Sequence, residues 1–239
     1  MTGQLYGVGL GPGDPELVTL KAARILDSVP VVAYFAKRGH NSNGRAIIAG
    51  RLRADVVEIP MLYPVTTEIR REDAAYRAAL DGFHDESAER IAAHLEAGQD
   101  VAVVSEGDPM FYGSYMHIHV RLAHRFPTEV VPGISAMAGA WSLAGLPIAQ
   151  GDDVLTVLPG TLDEATLTER LRGSEAVIIM KVFRNLPRIR AALAAAGRLE
   201  DAIYAERVGT PAQRVQPLRE RGPEPAPYFS IVLVPGWAR

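Results

Sequence analysis

The chain has 239 residues, 48% of them hydrophobic and 22% charged, with a formal net charge of −3 and no cysteine. That length and apolar content suit one large α/β unit or two compact ones and exclude a largely disordered chain. The missing cysteines exclude disulfides, thiolate nucleophiles and sulfur-ligated metals, and the mildly acidic charge argues against a nucleic-acid partner.

Short apolar runs alternate with helical patterns, the signature of βαβ units and a mainly parallel sheet. Leu5 to Gly9 reads as the first strand. It leads into GVGLGPGDPELVTLKAA (Gly7 to Ala23), a turn through four glycines that enters a helix. A dinucleotide fingerprint would need glycine where Pro12 stands, and a P-loop would need a lysine before Lys21, so neither nucleotide motif fits. Asp14 is the expected N-cap and Pro15 the first helical residue, with Leu17, Leu20, Ala23 and Leu26 on one face.

Val31 to Phe35 and Asp55 to Ile59 read as the second and third strands. Glu68 to Ala97 reads as helical with a break near Asp81-Gly82. Asp100 to Ser105 is a buried strand, Tyr115 to Arg125 a helix, and Glu129 to Val131 a short strand followed by a small-residue helix. The pattern loosens between Gly145 and Gly151, which places the expected boundary at residue 150: an N-terminal lobe over 1–150 and a C-terminal lobe over 151–239. The second lobe reads strand (Val154 to Leu158), helix (Glu164 to Leu171), strand (Ala176 to Met180), helix (Leu186 to Ala196) and strand (Ala202 to Glu206). After Pro223, Pro225 and Pro227 it ends in a strand, Tyr228 to Val234, expected at a hairpin or edge and therefore in a mixed sheet. No apolar run reaches the roughly 18 residues of a membrane span, and Met1 to Tyr6 does not have the form of a signal peptide. A cytoplasmic protein with no membrane partner is the expectation.

Three strand ends of the first lobe open onto glycine and proline turns: Gly9 to Asp14, Gly107 to Gly113, and Pro132 to Gly139. Ligands of open α/β sheets bind outside the carboxyl ends of the strands, so three such turns define one candidate crevice. A fourth turn, Glu206 to Thr210, lies in the second lobe.

The opening stretch, SEGDPMFYG (Ser105 to Gly113), VVPGISA (Val130 to Ala136) and AERVGTPAQ (Ala205 to Gln213) together resemble the four motifs of the tetrapyrrole (class III) methyltransferases, in the family's order and over nearly the whole chain. The resemblance implies an α/β fold of two lobes, the first built on a mainly parallel sheet and the second on a mixed one. S-adenosylmethionine (SAM) is expected in the cleft between them, with a tetrapyrrole bearing multiple carboxylates as substrate and a homodimer as the assembly. Within the family, GDPMFYGSYMHI (Gly107 to Ile118), NSNGRAI (Asn41 to Ile47), PMLYPVTTE (Pro60 to Glu68) and PYFSIVLV (Pro227 to Val234) resemble the branch that methylates a meso carbon of an early corrin precursor, metal-free or cobalt-bearing. The uroporphyrinogen-III methylases carry a second glycine before the GDP and an arginine soon after. Here those places hold Glu106 and Ser114-Tyr115. A more distant alternative is a macromolecule-modifying methyltransferase of the same fold.

By motif position, the cofactor contacts implied are Pro12, Glu106, Gly107, Asp108, Phe111, Ser135, Ala136, Met180 and Gly209, with backbone groups at Gly107 and Gly209 free to bond SAM. Asp108 has a second reading as a turn-former within its own loop, and Met180 one as core packing. Glu106 and Tyr112 are the catalytic candidates by location. An acidic enzyme that handles carboxylates must gather positive charge locally, and Lys37, Arg38, His40 and Arg45 after the second strand are the substrate-binding candidates. Arg188 and Arg190 are expected to face solvent, and His84, His94 and His124 to lie on helix surfaces. His117 and His119 point apart on a helix without a third ligand, so no protein metal site is expected.

Overall fold

The computed structural model describes residues 1–64 and 74–236. The expected helix start at Glu68 and the end of PMLYPVTTE fall in 65–73, outside the described residues. Two compact units divide at Ser135/Ala136.

The first unit carries an all-parallel five-stranded sheet of β1 (Leu5–Gly9), β2 (Val31–Lys37), β3 (Val57–Tyr63), β4 (Val101–Ser105) and β5 (Thr128–Val131), in the order β3-β2-β4-β1-β5. Helices α1 (Leu20–Ser28), α2 (Asn43–Ile47), α3 (Ala74–Glu96) and α4 (Tyr115–Leu122) cover it. Strand alternation splits the core in two. Leu5, Val31, Ala33, Ile59, Val101 and Val103 pack with Ile91, Leu95, Ile118 and Leu122 from α3 and α4. Val8, Val32, Ala102, Val104 and Val131 pack with Ala22, Leu26 and Ile47 from α1 and α2. Gly7 makes room on the first of these faces, because a Cβ there would lie 2.3 Å from the ring of buried Tyr115. Near-continuous apolar runs are what a parallel sheet covered on both faces requires.

The expected first helix is corrected by the structure. Asp14 does cap, accepting from Glu16 N, but it caps a single 3-10 turn, Pro15–Leu17. The α-helix starts anew after Thr19, whose hydroxyl accepts from Ala22 N. The break shifts the helical phase, so Leu17 and Leu20 face solvent while Ala22, Ala23 and Leu26 are buried. Leu20→Lys should therefore leave stability within about 0.5 kcal/mol of wild type, whereas Leu26→Ala should cost about 2–5 kcal/mol. Thermal or urea unfolding of the two variants checks the phase. The long helix also differs from expectation: α3 runs unbroken through Gly82, which is exposed with open space at its Cβ position. An exposed mid-helix glycine costs only about 1 kcal/mol, which burial of Phe83, Ile91 and Leu95 on the same helix offsets.

The second unit begins with α5 (Ala136–Ala144), earlier than the expected boundary at residue 150. Ala140, Met137 and Trp141 pack on Ile178, Ala205, Ile231 and Leu233 of the second sheet, and this contact assigns the helix to that unit. The sheet joins β6 (Leu155–Pro159), β7 (Ala176–Met180), β8 (Ile203–Glu206), β9 (Arg214–Pro217) and β10 (Ser230–Val234) in the order β6-β7-β10-β8-β9. Only β6 and β7 pair in parallel, and the other pairings are antiparallel. Helices α6 (Glu164–Arg172) and α7 (Leu186–Ala195) cover the face opposite α5. The final strand is not at an edge: β10 lies in the centre, every residue buried. Its sequence, SIVLV, is apolar on both faces, which a central strand tolerates and an exposed edge does not. The edge position falls to β9, a short strand with exposed Arg214 and Val215 that lacks enough apolar residues to be read from sequence.

Arg188 and Arg190 do not face solvent. Arg188 donates to Gly160 O and Asn185 Oδ1, and Arg190 donates to Leu218 O and Arg221 O, so both tie α7 to neighbouring loops. Among the described residues, no helix is long and apolar enough to cross a membrane.

Candidate functional site

In the first unit the three glycine turns follow β4, β1 and β5, which are consecutive in the sheet and all point the same way. The turns therefore meet at one sheet edge. Leu10 N donates to Ser105 O (2.9 Å), and Gly11 and Gly107 exchange both backbone bonds, at 2.7 and 3.3 Å, in an antiparallel bridge. The carboxylate of Asp108 stitches the third turn to the second: Oδ1 accepts from Met110 N (2.9 Å) in its own loop and Oδ2 accepts from Gly133 N (3.1 Å). Asp108 is thus both a turn-former and a brace between loops. A Cβ on Gly9 would lie 2.4 Å from Gly133 N, and one on Gly133 would lie 2.1 Å from Gly107 O. The three backbones approach too closely for any side chain at these positions.

This packing revises one expectation. The backbone N–H of Gly107 is committed to Gly11 O, and that of Gly209 to Gln213 Oε1 (3.0 Å), so neither is a free donor. Both glycines hold left-handed backbone, φ 68° and 78°, which is the demand that selects glycine there. The loops after β1 and β4 turn back on each other into an antiparallel bridge that takes up the Gly107 amide, and the Gln213 side chain takes up that of Gly209.

Pro12 and Phe111 are half-buried beside this edge, with Phe111 set edge-on to Tyr112 (centroids 4.9 Å, 62°). Tyr112 is 45% exposed and left-handed, φ 54°. Three other non-glycine residues share that strained region, Lys181, Phe183 and Arg207, and all four lie in the segments that follow β4, β7 or β8, Phe183 opening a 3-10 turn. Backbone strain of this kind concentrates at functional loops.

In the second unit β7 and β8 both run opposite to β10, so their carboxyl ends share one edge. Met180 closes β7 there, half-buried, and its carbonyl accepts from Gly160 N (2.7 Å). Met180, Val208 and Met137 border a single apolar cluster, which gathers the neighbourhoods of Met180, Gly209 and Ala136.

The basic segment after β2 divides. Lys37, Arg38 and His40 lie on an exposed stretch. Arg45, in α2, is engaged with Glu58 of β3 through a two-pronged pair, Nε to Oε2 at 2.6 Å and Nη2 to Oε1 at 2.9 Å. That pairing holds the Glu58 carboxyl below the usual range and raises the guanidinium, while burial and the same carboxylate raise the Tyr34 phenol. His40, Asn41, Ser42, Arg45, Tyr34 and Leu62 are among the residues lining a hollow of about 360 Å³. Sequence reading did not find Glu58; an acidic residue in a strand otherwise apolar on alternate positions was the available signal.

Glu106 follows β4 and reaches sideways: its Oε1 accepts from Gly44 N in α2 at 2.9 Å. Burial pushes this carboxyl upward, opposed by its own and Gly44's backbone N–H groups. Tyr63, at the end of β3, donates to Ser114 Oγ at 2.5 Å, a second cross-link from the loop after β4. The NSNGRAI and SEGDP segments are therefore physically joined.

Two of the histidines, His84 and His94, depart from expectation. His84 is not on the surface: it is 2% exposed, stacked on His117 (4.0 Å, 12°), with neither ring nitrogen bonded. Burial, then His117 and Arg121, push it down to about 4, against Asp81 and Asp85. The unfolded chain binds that proton near 6.5, so stability should be full above pH 6.5 and fall as the pH drops toward 4. His84→Phe should flatten the melting-temperature slope in that window; an unchanged slope would assign it to other groups. His94 is half-buried, its Nδ1 2.7 Å from Gln99 Oε1. His119 turns to the Tyr115 hydroxyl (3.1 Å), away from His117.

An all-parallel sheet with three interlocked glycine turns at one edge, and a second, mixed sheet, give an α/β protein of two units. The sequence model for tetrapyrrole (corrin/porphyrin) methylases matches residues 4–221, and the chain belongs to this family. It is 61% identical to the precorrin-2 C(20)-methyltransferase of Sinorhizobium sp over 98% of this chain and 96% of that protein. It is 30% identical to the cobalt-precorrin-2 C(20)-methyltransferase of Salmonella typhimurium over 98% and 97% of the two chains. Among solved structures, the uroporphyrin III C-methyl transferase of Thermus thermophilus superposes with a TM-score of 0.69 at 25% identity, covering 99% of both chains. The same kind of enzyme complexed with S-adenyl homocysteine gives a TM-score of 0.64 at 24% identity, covering 99% of this chain and 94% of that one.

Proposed function

We propose that the protein transfers a methyl group from SAM to C20 of precorrin-2, giving precorrin-3A in cobalamin biosynthesis. The observation that carries the reading is the 61% likeness to a precorrin-2 C(20)-methyltransferase along both chains, against 30% to an enzyme named for the cobalt form. The residues proposed to contact SAM, from their motif positions, are Pro12, Gly107, Asp108, Phe111, Ser135, Ala136, Met180 and Gly209. Half-buried Met180 at the end of β7 offers the soft apolar surface that suits a sulfonium cofactor.

SAM, when bound, supplies an already activated methyl group, so the chain's residues have mainly to align the accepting carbon and exclude water. The accepting carbon is enamine-like and nucleophilic without prior deprotonation. A base is needed only to take a proton afterwards, and Tyr112, exposed in the loop after β4, is the group proposed for it. The hollow beside α2, with Lys37, Arg38 and His40 on the same segment, suits the carboxylate arms of the tetrapyrrole. A cytoplasmic homodimer is the expected working form.

Purified protein supplied with SAM and either precorrin-2 or its cobalt-bearing counterpart gives the test. One methyl added at C20 of precorrin-2, located by mass spectrometry and NMR, is the expected product. Turnover of the cobalt form alone would replace the substrate, and methylation of RNA or protein without any tetrapyrrole product would overturn the reading.

A further inference from the structure

We propose that Glu106 is a positioning residue for the tetrapyrrole: it holds α2, and through it the wall of the hollow formed by Asn41, Ser42 and Arg45. The inference rests on reading that hollow as substrate-facing. Helix α2 has five residues, too few to be stable by itself. The first amides of a helix have no acceptor within it, and here two of them are supplied from side chains: Ser42 Oγ takes Arg45 N–H (3.2 Å) and Glu106 Oε1 takes Gly44 N–H (2.9 Å).

The two acceptors are not equivalent. Ser42 belongs to the segment it caps, whereas Glu106 arrives from the neighbouring strand's loop and fixes where the helix sits. Gly44 is buried, and a Cβ there would lie 3.6–3.7 Å from Glu106 Oε1, Ser42 Oγ and Val104 Cγ2. The helix is closed against β4 on that side. On the other side the Arg45–Glu58 fork ties it to β3. Glu106 and Glu58 thus hold one short helix from two strands, and the residues between those anchors line the hollow. An oxygen committed to a backbone amide serves geometry; Glu106 needs no contact with the reacting carbon to matter.

Glu106→Gln keeps the amide acceptor and removes the charge, while Glu106→Ala removes both. With precorrin-2 as substrate, the glutamine variant should keep KM and kcat within about threefold of wild type. The alanine variant should raise KM for the tetrapyrrole roughly tenfold or more, with the SAM Kd within about threefold. Hydrogen exchange of the amides of residues 43–47 should be as slow in the glutamine variant as in wild type and faster in the alanine variant. A glutamine variant that loses kcat by two orders of magnitude would overturn the proposal and make the carboxylate a reacting group. Equal loss of SAM and tetrapyrrole binding in the alanine variant would overturn it in favour of a cofactor contact. Should wild type not turn over precorrin-2, the substrate reading fails, and the exchange data still decide whether Glu106 holds α2. If the alanine variant does not fold, Gly44→Ala serves as a second probe: it keeps the N–H donor at ordinary contact distances, and its KM should stay within threefold.

Discussion

Gly133→Ala should abolish SAM binding, with a loss of at least 100-fold in Kd by calorimetry, and should lower the stability of the first unit by about 3 kcal/mol, the scale of severe strain or overpacking. The added methyl would sit 2.1 Å from the carbonyl oxygen of Gly107 and 2.8 Å from Cα of Gly9. Neither neighbour is a side chain that can swing aside, so backbone must move. Gly107 cannot move alone, because both its polar groups bond Gly11, and Gly133 cannot move alone, because its N–H is held by Asp108. Strain at one glycine is therefore shared by all three loops. Asp108→Asn provides the graded comparison: it keeps an acceptor for either Met110 N or Gly133 N and weakens the other, so a milder loss of SAM is expected. Normal SAM affinity in Gly133→Ala would mean that the glycine edge is not the cofactor's floor.

Arg45→Ala should raise the KM for the tetrapyrrole by roughly 10- to 100-fold, the range of a lost charge-assisted hydrogen bond, and leave SAM affinity near wild type. The loss has two parts. A cation beside the hollow proposed for the substrate carboxylates disappears, and Glu58 is left with its charge but without the fork that holds it low. An unpaired carboxylate next to the hollow then repels the substrate and disturbs the Tyr34 phenol bonded to it. The double variant Arg45→Ala/Glu58→Ala removes the repulsion, so it should bind the tetrapyrrole better than Arg45→Ala alone, a coupling that the mutant cycle reads directly. Arg38→Ala, on the exposed stretch, should cost less, because exposed charges are screened. If the double variant is as poor as the single one, Arg45 acts by direct contact only.

Between Glu106, Arg45 and Asp108 a common pattern emerges. Each was legible in the sequence as a polar residue in a functional motif, and each turned out to be engaged with another segment of the same unit. A motif shows that a residue is in the right loop; it does not show which of its atoms are already bonded. Glu58 and Tyr34 were missed for the same reason, since nothing local to β3 marks an acidic residue as the partner of an arginine 13 positions earlier. His84 was misread because periodicity places a histidine on a helix without saying whether a second helix covers that face; α4 brings His117 over it.

The sequence by itself determined the α/β class, the parallel and mixed sheets, the glycine turns at strand ends and the family. These follow from local chemistry: apolar runs of strand length, helical periodicity, and glycines where backbone must take φ above zero. Only the tertiary structure decided that Leu20 faces water, that β10 is central, that α5 belongs to the second unit, and that Gly107 has no free amide. Leu20 is exposed by the restart of the helix at Thr19; the others depend on which distant segments meet, as in Gly11 with Gly107 or β10 with β7. Contacts at that separation are set by packing and by the pairing of buried polar groups, which no window of sequence contains.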